Sequence, residues 1–151
     1  MNAKDQSIEV LRTEFQTQGQ VFLDAAREMG AETAVKPGIC GEWSVKDVLA
    51  HLTGWNREAV REYGLLPGGE LPPLPEDMEI IDQLNAGLVE IYQEFSWDQV
   101  FAAFEDSLLA LEQAAAAISP ENAAKEPRYG LWLQIMAGEL ENHYKDLCGL
   151  G

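Results

Sequence analysis

Apolar side chains return every three or four residues along most of this chain, and the strict alternation of a half-buried strand occurs nowhere. At about 3.6 residues per turn, that spacing gathers the apolar groups on one stripe of a helix, and the stripe must be buried against another. The pattern predicts an all-α chain in which helices pack on helices.

The stripes can be followed along the sequence. Ile8, Leu11, Phe15, Phe22, Ala25 and Met29 line one face of a helix from about Lys4 to Met29. Gln18 occupies a step of that series, either as a solvated edge or as a polar group pointing into an interior site. Gly30 ends the helix, and Pro37, Gly38 and Gly41 favour turns as far as Trp43. Ser44 then caps a second long helix, with Asp47 answering in a capping box and Val45, Val48, Leu49, Leu52, Asn56 and Ala59 on its inner face to about Tyr63. The run GLLPGGELPPLP, residues 64–75, is too rich in Gly and Pro for a helix, and its length suits a crossover between helices that are not antiparallel neighbours.

Ile81, Leu84, Leu88, Ile91 and Phe95 predict a further helix from about Glu76 to Phe95 within that crossover. Ser96, boxed by Gln99, caps the next helix, whose stripe runs Trp97, Phe101, Phe104, Leu108, Leu111, Ala115 and Ile118. Ser119-Pro120-Glu121 starts a short turn that Pro127 ends, and the last helix spans about Gly130 to Cys148. The expectation is a four-helix bundle with an extra helix in one long connection, and one domain over residues 1–151.

With 26 acidic and 10 basic residues the formal charge is −16, a field that repels phosphate backbones and anionic lipid. Nucleic acid and membranes are therefore not expected as partners, and no window approaches the about eighteen apolar residues of a membrane span. The opening MNAKDQSIEV lacks the apolar core of a signal peptide, so the expected location is the cytoplasm. There the two cysteines, Cys40 and Cys148, are expected to be reduced packing residues.

Chemistry-bearing residues are few. His143 falls inside the apolar arc of the last helix, formed by Leu133, Met136, Leu140, Tyr144 and Leu147, while His51 lies on the flank of the second helix between Val48 and Trp55. Glu139 and Asp146 stand one turn either side of His143, within reach of its imidazole. Histidines from two helices of a bundle can hold a transition metal or place a water, and with one carboxylate they would leave open positions. The alternative is a satisfied core histidine at 143 and a half-exposed one at 51. Trp55, one turn from His51, is a candidate pocket wall, with Gln18 and Tyr144 as further pocket candidates. No G-x-S-x-G elbow or glycine-rich phosphate loop is present.

GEWSVKDVLAHLTGW (residues 41–55), DQLNAGLVEIYQEFSWDQV (from Asp82) and ENHYKDL (from Glu141) resemble, in content and order, the DinB-like superfamily and its ClbS/DfsB branch. The resemblance implies an up-down-down-up bundle, a homodimer and a central pocket. It also implies self-protection against an electrophilic toxin such as colibactin, by opening a strained cyclopropane with water. In metal-binding members one histidine comes from the second long helix and two, four residues apart, from the last. His51 and His143 match, but the third position holds Leu147, which binds no metal. Any zinc or nickel would then rest on His51, His143 and Glu139, or Asp146 in its place, at less than one equivalent.

Three functions follow: hydrolysis or detoxification of an electrophile around His51 and His143, a metal-dependent thiol-transferase-like activity, or non-catalytic binding of a small molecule. Leu65, Leu66 and Leu71 in the crossover add an apolar argument for a homodimer.

Overall fold

The computed structural model describes residues 7–149, with side chains through Leu147. The expected start of the first helix at Lys4 and the packing of Cys148 lie outside these limits. The helices are α1 (Ile8–Arg27), α2 (Ala31–Ala34), α3 (Val45–Leu65), α4 (Met78–Ile91), α5 (Trp97–Ala116), α6 (Pro120–Lys125) and α7 (Arg128–Gly149). Among the described residues the sole extended pairing is an isolated bridge between Cys40 and Trp43.

Side chains that satisfy the orphan backbone donors set the starts of these helices. Ser7, Ser44, Asp77, Ser96 and Ser119 each accept a bond from a backbone N–H in the first turn. Ser44 with Asp47 and Ser96 with Gln99 form reciprocal boxes, as their spacing predicts. The crossover helix is shorter than expected because Asp77 caps it late and Tyr92 already leaves helical geometry. Ala31–Ala34, expected as turn, forms a single helical turn.

Side-chain contacts give the direction of each helix. The first turns of α1 and α7 lie together, with the Leu11 side chain closed over Gly130, so these helices run parallel. Arg27, at the end of α1, lies over Phe101 near the start of α5, while Gly19 meets Leu108 further along; α1 and α5 are antiparallel. Glu62, late in α3, bonds Arg128 and Trp132 at the start of α7, whereas His51, early in α3, meets Glu139, so these two are antiparallel as well. The result is the up-down-down-up bundle, with α3 and α5 parallel neighbours that require the long crossover.

Its core is built on Phe15, Phe22, Leu49, Leu52, Phe104 and Trp132, all fully buried. Each such side chain contributes about 1.5–3 kcal/mol by leaving water. Within the crossover Leu66 is buried and Leu71 half-buried against the core, so of the leucines expected to seek a partner only Leu65 stays exposed. The exposed apolar groups Met78, Ile80, Leu84 and Ile91 sit on α4 instead.

A candidate histidine–carboxylate site

His51 is 3% exposed on the second turn of α3, and its Nδ1–H donates to the Val48 carbonyl at 2.7 Å. A carbonyl can only accept, so the Nε2 of the neutral ring carries the lone pair. Trp43 covers one face of this ring, with centroids 4.9 Å apart. The turn that holds Trp43 is tied by its own backbone: its carbonyl accepts from the N–H groups of Gly38, Ile39 and Cys40, and its N–H donates to the Cys40 carbonyl at 2.9 Å. Gly38 and Gly41 have φ of 103° and 59° there, a region that side chains disfavour.

His143, on α7, meets His51 edge to face at 4.9 Å between centroids. Its Nδ1 donates to Asp146 Oδ2 at 3.1 Å, and its Nε2 lies 3.4 Å from Glu139 Oε2. The same carboxylate oxygen stands 3.8 Å from His51 Nε2, within ion-pair range but beyond a hydrogen bond. Glu139 is thus the meeting point of both imidazoles. Contact with the two imidazoles, His143 first and then His51, holds its pKa down at about 2 despite partial burial. Burial disfavours a charged His143, but Glu139 and Asp146 outweigh it, and the imidazole pKa is raised.

A cavity of about 160 Å³ opens beside His51 and Glu139, walled by Trp55, Leu74, Ile81, Asn85 and Trp132. The Trp55 indole N–H donates to Asn85 Oδ1 at 2.6 Å, which fixes the wall and turns the amide nitrogen of Asn85 away from it. Of the pocket residues expected from sequence, Trp55 lines this cavity and Gln18 and Tyr144 do not. Gln18 lies half-buried on α1, which packs on α5 and α7 and lends no residue to the cavity wall. Tyr144 packs partly buried against the core. His143 stands behind Glu139, outside the residues that line the cavity.

The ligating atoms of His51, Glu139 and His143 lie within 4.8 Å of one another, close enough to hold one divalent transition metal after small movements. Both Nδ1 atoms are engaged, the outer-shell arrangement that aims an imidazole at a metal. Leu147 is buried in the core and offers no fourth donor.

Residues 15–148 match the family model of the mycothiol maleylpyruvate isomerase N-terminal domain. The chain belongs to this family. No curated protein matches it. Two solved structures share the fold. The colibactin self-resistance protein ClbS, in complex with a dsDNA, superposes with a TM-score of 0.84 at 16% identity over 95% of each chain. An uncharacterised protein from Escherichia coli UTI89 gives 0.80 at 17% identity over 94% of this chain and 91% of its own. The DinB-like superfamily expected from sequence is therefore borne out by the family match, and the likeness to ClbS bears out the all-α bundle fold.

The ClbS complex corrects one expectation. The summed charge of −16 was the ground for excluding nucleic acid, yet this fold is seen on dsDNA. A duplex meets one face of a protein and responds to charges within about 10 Å of it, so a total over the whole chain does not decide the matter. For membranes the statement is narrower: among the described residues no helix is long and apolar enough to cross one.

Sequence reasoning missed Trp43 and Cys40, which the turn before α3 delivers to the two histidines. No spacing in the sequence signals a contact made by a loop against a distant helix.

Proposed function

We propose that this family member is a small resistance-type enzyme that adds water to an electrophilic small molecule held in the cavity beside His51 and Glu139. The observation that carries the reading is the lone pair of His51 Nε2, aimed at Glu139 on the edge of a tryptophan-walled cavity. A carboxylate with a pKa of about 2 is too weak a base to take a proton from water. His51 Nε2 takes it instead, the Val48 carbonyl holds Nδ1–H, and Glu139, 3.8 Å from that Nε2, stabilises the imidazolium that forms. His143 and Asp146 position Glu139. Asn85, its oxygen occupied by Trp55, donates its amide N–H to the carbonyl oxygen of the electrophile.

For a strained ring conjugated to a carbonyl, the water oxygen bonds to a ring carbon as one carbon–carbon bond breaks. The electron pair passes to the carbonyl as an enolate, which takes its proton from solvent. His51 Nε2, His143 Nε2 and Glu139 would hold a zinc or nickel ion, which supplies Lewis-acid polarisation when bound.

Incubation with carbonyl-conjugated cyclopropanes and enones, followed by mass spectrometry, tests the reading. A product heavier by one water supports it, a thiol adduct formed only when thiol is supplied replaces it with transfer chemistry, and unchanged electrophile overturns it. A second reading, association with duplex DNA, is supported by the ClbS complex. Fluorescence anisotropy of a labelled duplex at low salt tests it, because such binding weakens as salt rises.

A further inference from the structure

A second cluster lies on the other side of His143. The ligating atoms of Cys40, His143 and Asp146 fall within 4.8 Å of one another, and all three side chains are half-buried. They come from separate elements: Cys40 from the turn bridged to Trp43, His143 and Asp146 from successive turns of α7. Asp146 faces the Nδ1 of His143, whereas Glu139 faces its Nε2. The two clusters therefore use opposite nitrogens of one ring. A neutral imidazole has a single lone pair and can serve only one of them at a time.

The donor set is distinctive. One thiol sulfur, one imidazole nitrogen and one carboxylate oxygen make a three-ligand position that zinc completes with water, and the sulfur favours thiophilic ions over harder ones. The cysteine backbone is preset, because the Cys40 N–H and carbonyl both bond to Trp43. With the Glu139 carboxylate also nearby, the immediate surroundings favour a cation.

We propose that Cys40, Asp146 and the Nδ1 of His143 form a position for one thiophilic divalent cation, exclusive with any cation held by His51 and Glu139. On binding, the Cys40 thiol releases its proton to solvent and the His143 proton moves to Nε2, where Glu139 accepts it in a hydrogen bond. The proposal does not depend on the enzymatic reading, since neither the cavity nor His51 takes part.

Titration of the whole chain with cadmium or cobalt tests it, read by the thiolate-to-metal charge-transfer absorption in the ultraviolet. The expected result is a band that saturates at one ion per chain, disappears in Cys40→Ser, and persists in Cys148→Ser and in Glu139→Gln. Circular dichroism confirms that each variant is folded. No band in the wild-type chain, or a band that survives Cys40→Ser, overturns the proposal. Metal bound at one equivalent without a thiolate band also overturns it, while leaving the His51–Glu139 reading intact.

Discussion

Glu62→Ala is expected to be the most damaging single change outside the apolar core. Glu62 is a buried carboxylate that accepts from Arg128 Nε at 2.6 Å, Arg128 Nη2 at 2.8 Å and Trp132 Nε1 at 2.8 Å. Glu62 is buried, with a side-chain exposure of 7%, and Arg128 is largely shielded at 13%; removing one partner of a buried pair costs about 3–5 kcal/mol. The Trp132 indole N–H, in a residue only 1% exposed, also loses its acceptor, which places the loss toward the upper end of that range. Against a typical total stability of about 5–15 kcal/mol this is about a fifth or more. At about 2–4 °C per kcal/mol for a chain of this length, the midpoint should fall by roughly 6–20 °C.

Urea and thermal denaturation followed by far-ultraviolet circular dichroism measure both numbers. Glu62→Met with Arg128→Met removes both charges together and should recover most of the loss, because no uncompensated charge remains. A Glu62→Ala loss below about 1 kcal/mol, or a double variant no better than the single one, would refute the reasoning.

Other consequences are smaller in scale. Gly64→Ala, in helical backbone with nothing near its added methyl group, should stabilise the chain by about 0.5–1 kcal/mol in the same assay. Gly54→Ala should gain less or lose stability, because its methyl group would strike the Leu88 side chain. In metal-free protein, Glu139→Gln should lower stability most near pH 6, by no more than about 1 kcal/mol, since Glu139 is 43% exposed and screened by solvent. The sign follows from linkage: the raised His143 contributes fully below about pH 6.5 and is lost as pH rises through its folded value. The lowered Glu139 contributes above about pH 4.3 and is lost as pH falls through about 2. A wild-type-to-variant gap that widens toward alkaline pH in denaturation curves would contradict this. Sedimentation should show a homodimer, with α4 and its exposed Ile80, Leu84 and Ile91 at the contact; a monomer at micromolar concentration rejects that.

The helices were legible because their stripes and caps are local. Ser44 with Asp47 and Ser96 with Gln99 announce helix starts within four residues of sequence, and Glu139 lies one turn from His143 on the same helix. Ala31–Ala34 escaped because four residues cannot display a period. Gln18 was a fair interior candidate by spacing alone, but the helices that α1 meets are decided by the whole bundle. The bond from Glu62 to Arg128 spans 66 residues, and Trp43 and Cys40 reach their histidines from a loop. Such contacts depend on how helices are placed, which periodicity does not encode.

The central claim is that His51, supported by Glu139, delivers water to an electrophile. It is tested most directly by running the reaction in isotopically labelled water and reading the product mass for wild type and Glu139→Gln. The account predicts one labelled oxygen in the wild-type product and a rate at least about a hundredfold lower in the variant. Unlabelled product, or a Glu139→Gln rate equal to wild type, would contradict it.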